Sequence, residues 1–425
     1  MKNERRIMRG MNALLSERGF QSGELLPPQQ AVIAFLARVN IARARQEAVP
    51  IETAAGRILA EDIAADRPYP AIARSTMDGF AVRSADLPGT LRIAGEVLMG
   101  RMREERLAPG ESVRIPTGGA LPEGADAVVP VEDTVVVEGS SVRVERAVPA
   151  GDCLTQPGDD MQAGEVLLHR GRRIGPAECS VLATLGYASV PVYRRPRIGV
   201  ISSGDELVAV DAPAGPAQVR DSNRYAVAAS LQAKGAQVMV FPVVPDVPGA
   251  LEAALSSALP GCDAIMLTGG SSVGQRDFTP GAIAALGEPG VLVHGLRVKP
   301  GKPTVLAAAG AKPIIGLPGN PTSALIILEA VIAPVIAALT GCTQRAFTVD
   351  AVAREAIPGR AGWTWYVPVS LFDDGERYMA APLPIRSAST SLPARADGFL
   401  TMEEDVTQIE CGQGVRITRL TEGLC

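Results

Sequence analysis

The chain is poor in the residues on which much familiar catalysis depends. Of its 425 residues only His169 and His294 are histidine, which excludes a histidine-rich metal site and leaves a Ser-His-Asp triad little to stand on. The six cysteines, Cys153, Cys179, Cys262, Cys342, Cys411 and Cys425, are scattered and form no CxxC pair, so neither a structural zinc site nor a redox motif is indicated. Dispersed thiols in a large chain suit a reducing compartment, and a cytoplasmic location is expected. Basic excess is also missing: the net charge is −5. That argues against a nucleic-acid partner while leaving room for local basic pockets. Met1 to Phe20 mixes Lys2, Arg5, Arg6 and Arg9 with Glu4 and Glu17 and has no apolar core of signal-peptide length. Residues 1–25 are expected to be a flexible extension. The apolar stretch from Ala324 to Leu339 holds Glu329 and Pro334 and is shorter than the roughly 20 residues that span a bilayer. It reads as a buried helix, and no membrane partner is expected. No repeat and no low-complexity segment is present.

What is there divides into segments. A chain of this length exceeds one hydrophobic core, which rarely grows beyond roughly 250–300 residues, so two to four domains are expected. Val32, Ile33, Leu36 and Val39 stand at helical spacing, and Ala54 to Ala60 adds good helix formers, so residues 30–60 read as helical. From Arg67-Pro68-Tyr69-Pro70 to about Pro149, Gly and Pro punctuate short β-branched runs, which is all-β texture. Helical signals return from Gly175 to Leu185, with Pro176 suited to a first turn. From Arg197 onward, apolar strands (Ile198 to Ile201, Val238 to Val244, Ala264 to Leu267, Val291 to Val293, Ile314-Ile315) alternate with helical stretches. That pattern predicts a parallel α/β sheet covered on both faces, with ligands at the carboxyl ends of its strands. After Gly341-Cys342, three β-rich runs, Trp363 to Val369, Arg377 to Ala380 and Val415 to Ile417, suggest a small barrel or sandwich.

The loops carry the chemistry. Lys299-Pro300-Gly301-Lys302-Pro303 and Gly316-Leu317-Pro318-Gly319-Asn320-Pro321 each follow an apolar run. Glycine lets backbone approach a ligand, proline fixes the loop, and the lysines are point charges suited to an oxyanion or phosphate. Together they read as a rigid anion cradle. Ser202-Ser203-Gly204-Asp205-Glu206 and Thr268-Gly269-Gly270-Ser271-Ser272-Val273-Gly274 follow other strands and could converge backbone N–H groups on an anion. They match neither the P-loop nor the GxGxxG pattern, and the second reads equally as a plain turn. Glu206 and Asp277 beside such loops suit a magnesium ion, although each acid alone reads more readily as a helix cap or a solvated side chain. Asp78 in Ser75-Thr76-Met77-Asp78-Gly79-Phe80, the run from Pro116 to Pro122, and the paired acids Asp159-Asp160 read singly as turns.

Taken together, the runs STMDGFAV, RIPTGGALPEGADAVV, GDD, SSGDEL, VRDSNR, LTGGSSVGQRDF, VKPGKP and GLPGNPTSA resemble the MoeA family, the molybdopterin molybdenumtransferases, which include the E domain of gephyrin. They stand in family order across residues 30–425. The resemblance implies a multidomain fold of α/β and β parts. These are a helical dimerising segment (26–65 with 150–195), an inserted β domain (66–149), a MogA-like parallel α/β domain (196–341) and a C-terminal β barrel (342–425). It also implies a homodimer whose cleft combines the α/β domain of one subunit with the inserted domain of the other.

The reaction implied is insertion of molybdate into adenylylated molybdopterin, with magnesium-dependent release of AMP. The adenylyltransferase of the same pathway is implied as a partner. By motif, Asp78, Asp160, Glu206 and Asp277 correspond to the family's functional acids, with Glu206 and Asp277 on magnesium. Thr117, Gly269, Gly270, Ser271, Ser272, Lys299, Lys302, Pro318, Pro321, Ser323, Arg360 and Ser391 correspond to positions that bind substrate and molybdate. Where the family carries Gly-Gly-Val-Ser this chain has Gly-Gly-Ser-Ser, and Arg276 stands where an acid is common. An adenylyltransferase would not need the inserted domain, the barrel or the VKPGKP and GLPGNP loops. A non-catalytic scaffold would have no reason to keep four acids and two lysines. Tungstate, of the same shape and charge as molybdate, is not separated from it by sequence.

Overall fold

The computed structural model describes residues 25–42, 44–269, 278–343, 346–385 and 389–420. The chain divides into two compact units, one made of residues 61–169 and 181–187 and the other of 1–60, 170–180 and 188–425. Helix α1 (Pro28–Arg38) starts on a proline, whose missing N–H costs nothing in a first turn, and buries Val32 and Phe35. The helical reading of residues 30–60 fails beyond it. Val39 is extended, strand β1 (Gln46–Pro50) follows, and Ile51–Thr53 is a single 3-10 turn. Pro50 forbids a continuous helix, and Gly56 takes a left-handed φ of 76° that interrupts the run of helix formers.

The unit of residues 61–169 is built on a sheet of β2 (Gly79–Val82), β3 (Gly89–Glu96), β4 (Glu111–Ile115), β5 (Ala127–Pro130), β6 (Val135–Val137) and β7 (Ser141–Val144), in the order β5-β2-β4-β3-β7-β6. Only β3 and β4 pair in parallel. Side chains alternate faces along a strand. Phe80, Val82, Ala127 and Val129 therefore enter one apolar cluster, while Ala81 and Val128 enter the other.

Helix α2 (Pro176–Thr184) begins on the proline the sequence marks. Strand β8 (Ser189–Tyr193) pairs back on β1, antiparallel, with Gln46 opposite Tyr193. The α/β segment then supplies β9 (Arg197–Ser202), α3 (Asn223–Ala233), β10 (Gln237–Val240), α4 (Ala250–Ala258), β11 (Ala264–Thr268), α5 (Thr279–Ala284), β12 (Pro289–His294), β13 (Val298–Lys299), β14 (Val305–Ala309), β15 (Lys312–Leu317), α6 (Pro321–Ala330) and α7 (Ala333–Thr340). Six of the strands form one sheet, β10-β9-β11-β15-β14-β12. Strand β14, which the strand-helix pattern does not reveal, is antiparallel to both neighbours. The sheet is therefore mixed rather than wholly parallel. Because β14 alone runs backwards, β12 still points the same way as β15, and the carboxyl ends of the other five strands lie along one edge.

Both faces of this sheet are covered, as continuous apolar strands require. Ile198, Val200, Met266 and Ile315 pack with α1, α3, α6 and α7. Ile201, Ile265, Leu267 and Ile314 pack with α4 and α5. The apolar stretch 324–339 is two helices bent by 56° rather than one. Pro334 explains the break, since its ring would clash with the carbonyl of Ala330, the last residue of α6. Among the described residues no single helix is long and apolar enough to cross a membrane.

The C-terminal strands β16 (Thr348–Ala353), β17 (Thr364–Asp373), β18 (Tyr378–Pro382), β19 (Gly398–Met402) and β20 (Gly414–Arg419) close on themselves as a five-strand barrel, β17-β18-β16-β20-β19-β17. Its filling includes Ala353, Val369, Leu400 and Ile417. Short β13 leaves the α/β segment and pairs in parallel with the start of β17.

Candidate functional site

The carboxyl edge of the mixed sheet gathers the loops after β9, β11, β12 and β15, and short polar contacts tie three of them together. The Ser202 and Thr268 hydroxyls lie 2.9 Å apart at the ends of β9 and β11. One residue on, the Ser203 N–H donates to the Thr268 carbonyl at 2.9 Å. Gly269 then packs so closely that a Cβ there would fall 2.1 Å from the Ser203 oxygen, and its φ is 85°. Only glycine fits that turn. The Asn223 amide, at the start of α3, donates to the Gly319 carbonyl at 2.8 Å and so braces the loop after β15.

In that loop Pro318 is buried and Asn320 caps α6, its side chain accepting the Ser323 N–H at 3.2 Å. The cap exists because a short side-chain oxygen can reach an otherwise orphaned first-turn donor. Pro321 occupies the opening position of the helix, and Ser323 is 8% exposed, with its hydroxyl 3.4 Å from the same Asn320 oxygen. Backbone donors and the positive end of the helix dipole are thus presented next to Ser323. The Thr322 hydroxyl donates to the Ser389 carbonyl at 2.6 Å, which brings the chain just before Ser391 to this helix. Ser391 itself is exposed.

The segment between β12 and β14, residues 295–304, holds both lysines. Lys302 is exposed, and its carbonyl accepts the Leu296 N–H at 2.8 Å. Gly301 has a φ of 111°, and a Cβ there would meet the Ile327 side chain at 2.3 Å, so the loop lies flat on α6. Lys299 is not in the loop proper but in β13, with its ammonium 4.1 Å from the centre of the Trp365 ring. Arg360 similarly stands 5.2 Å from the Trp363 ring.

Glu206 is exposed on the loop after β9 and folds back over Gly204, where a Cβ would meet its carboxylate at 2.5 Å. Ser203 donates to Asp246 at 2.6 Å, and the Asp246 N–H donates to Asp205 at 3.0 Å. Gly270, Ser271, Ser272 and Asp277 lie outside the described residues. Among the described residues no three acid, histidine or cysteine groups cluster closely enough to hold a metal. Magnesium commonly takes only one or two carboxylates and draws its other oxygens from phosphate and water. Of the two acids expected on magnesium, only Glu206 lies among the described residues, and its carboxylate is a hard oxygen donor of the kind that ion takes.

In the unit of residues 61–169, Asp78 and Thr117 come together. The Thr117 N–H and hydroxyl both donate to one Asp78 oxygen, at 2.7 and 2.9 Å. The backbone donor, and then the hydroxyl, hold the Asp78 carboxyl below the usual carboxylate range. Asp160 sits on a turn whose backbone is held by Tyr69, its N–H donating to the Tyr69 carbonyl at 3.1 Å. It makes no direct bond to Asp78 or Thr117.

Sequence reasoning missed several members of these contacts. Asn223 lies within the VRDSNR run, but nothing in the run marks its bond to Gly319. Asp246 follows β10 in no motif. Trp363 and Trp365 could have been singled out, since the chain has only two tryptophans and they stand just before and at the start of β17, close to Arg360.

Three family models match the chain in succession. They are described as the MoeA N-terminal region (domain I and II) over residues 26–186, a probable molybdopterin binding domain over 199–338, and the MoeA C-terminal region (domain IV) over 350–420. A molybdopterin molybdenumtransferase of Bacillus subtilis (strain 168) is 34% identical over 388 residues, covering 88% of this chain and 90% of that protein. Molybdopterin molybdenumtransferase 2 of Mycobacterium tuberculosis is 31% identical over 418 residues, covering 92% and 98%. The crystal structure of a molybdopterin biosynthesis MoeA protein from Pyrococcus horikoshii OT3 superposes with a TM-score of 0.80 at 25% identity, over 93% of this chain and 100% of that one.

Proposed function

This chain belongs to the MoeA family, the molybdopterin molybdenumtransferases, and we propose that it inserts molybdate into adenylylated molybdopterin with release of AMP. It is a transferase of molybdenum cofactor biosynthesis. The observation that carries the finer reading is the carboxyl edge of the mixed sheet. There hydrogen bonds brace the start of α6 and the loops after β9 and β11 together, and the segment that carries Lys302 lies against α6 at Gly301.

The reaction must hold an oxyanion and a nucleotide phosphate close together despite their repulsion. Preorganised donors and cations lower that repulsion without reorganising during the step. In our reading Lys299, Lys302 and Arg360 bind molybdate, with Ser323 and Ser391 donating hydroxyls. Gly269, Gly270, Ser271 and Ser272 give backbone and hydroxyl donors to the phosphate, and Pro318 and Pro321 keep the loop after β15 from yielding. Glu206 and Asp277 would hold magnesium, which supplies charge neutralisation at the phosphate when bound. Asp78, oriented by Thr117, and Asp160 would face the substrate from the second unit of a homodimeric partner. Molybdopterin adenylyltransferase would supply the substrate, and the cytoplasm would be the compartment.

Purified protein supplied with adenylylated molybdopterin, magnesium and molybdate should release AMP. If no AMP appears with any metal oxyanion, the insertion reading fails. Asp277→Asn should bind the adenylylated substrate without cleaving it. Lys302→Ala should raise the molybdate concentration needed for half-maximal release. Repeating the assay with tungstate measures the preference between the two oxyanions.

A further inference from the structure

We propose that Trp363 and Trp365 form an indole platform on which Arg360 and Lys299 rest, and that this platform sets the affinity of the site for its oxyanion. The proposal rests on the reading above for the identity of the anion and on the structure alone for the geometry. The Lys299 ammonium lies 4.1 Å from the Trp365 ring centre and the Arg360 guanidinium carbon 5.2 Å from that of Trp363. Both fall within the roughly 6 Å over which an aromatic face attracts a cation.

The register between β13 and β17 enforces the first contact. Lys299 is the direct partner of Trp365, and Val298 that of Thr364. Partners in register project to the same side of the pair. Val298 and Thr364 are 1% and 4% exposed, so that side is buried, while Lys299 and the half-buried Trp365 occupy the other. The turn before β17, closed by the Trp363 N–H donating to the Arg360 carbonyl at 3.2 Å, keeps Arg360 beside its own indole.

What makes this arrangement suited to an anion is what the cations do not touch. Among the described residues neither Lys299 nor Arg360 is ion-paired, whereas Arg297, two positions before Lys299, is paired with Glu404 at 3.0 Å. A carboxylate partner would compete with an arriving oxyanion and would have to be displaced. An indole face holds the cation in place through its quadrupole without neutralising it. The side chains are thereby ordered before the ligand arrives, which lowers the entropic cost of binding. Trp363 and Trp365 are positioning residues in this account, acting through the two cations.

The chain has only two tryptophans, so tryptophan emission reports on this platform alone. Titration of the wild-type protein with molybdate should give a saturable change in that emission, and Lys299→Met should remove the part due to Trp365. Trp365→Leu should raise the half-saturating molybdate concentration about fivefold, while Trp365→Phe, which keeps an aromatic face, should stay within about twofold. The maximal rate of AMP release should change little in either, and thermal unfolding should show both variants folded. If Trp365→Leu leaves half-saturation unchanged, or Trp365→Phe is impaired as much as Trp365→Leu, the platform has no such role. Emission that ignores every oxyanion while AMP release stays molybdate-dependent overturns the platform and leaves the insertion reading intact. Emission that responds without any AMP release supports the platform and removes the insertion reading.

Discussion

Asp78 shows how a single residue is tuned by its neighbour. Its carboxyl is depressed first by the Thr117 N–H and then by the Thr117 hydroxyl. The folded value lies below the unfolded one, so the stabilising effect of this contact is present above the ordinary carboxylate range and is lost as pH falls through the depressed value. Thr117→Val removes the hydroxyl but keeps the N–H. The Asp78 midpoint, read by carboxyl-carbon NMR, should therefore rise part of the way toward its ordinary value, and an unmoved midpoint would show that the hydroxyl bond is absent in solution. Gly269 is a second case. Its left-handed φ and the 2.1 Å approach of a Cβ to the Ser203 oxygen predict that Gly269→Ala costs about 1–3 kcal/mol in urea denaturation. The Ser203 carbonyl must also move, so AMP release should fall together with stability.

At the scale of the element, helix α6 is held at its start by one side chain. Asn320→Ala should cost about 1 kcal/mol in denaturant unfolding through loss of the cap on the Ser323 N–H and should raise the half-saturating molybdate concentration. Denaturation that is unchanged would mean that water replaces the cap without loss. Some elements were legible from local signals. Apolar residues at helical spacing (Val32, Ile33 and Leu36) mark α1, proline at the first turn marks α2, and Ile198-Gly199-Val200-Ile201 reads as a buried strand. Others were not. Residues 46–50 fall within a stretch whose local signals favour helix, yet pairing with β8 makes them a strand, because a partner distant in sequence satisfies their backbone. Strand β14, Val305-Leu306-Ala307-Ala308-Ala309, is rich in a good helix former and is strand only because β12 and β15 flank it.

At the scale of the whole molecule, the barrel and the mixed sheet fall in one compact unit, and residues 61–169 with 181–187 form another. Calorimetry should show more than one transition, as is common for multidomain chains. Ile417→Ala in the barrel and Ile315→Ala in the sheet, both at 0% exposed positions, should each cost about 2–5 kcal/mol and lower the same transition. Val129→Ala, in the core of the other unit, should lower a different one. If Ile417→Ala moves a transition of its own, the barrel unfolds independently of the sheet.

The sequence by itself determined the family, the succession of β, α/β and β segments, and the residue types available for chemistry. Those features are written in local patterns: glycine and proline spacing, apolar periodicity, and short motifs whose residues are adjacent in the chain. Only the tertiary structure decided that β14 reverses within an otherwise parallel sheet, that Asn223 braces Gly319, and that Lys299 rests on Trp365 rather than in an open loop. Each of these joins residues far apart in sequence through strand register or a single side-chain bond. Such pairings depend on which partner is available once the chain has folded, and local sequence carries no record of that partner.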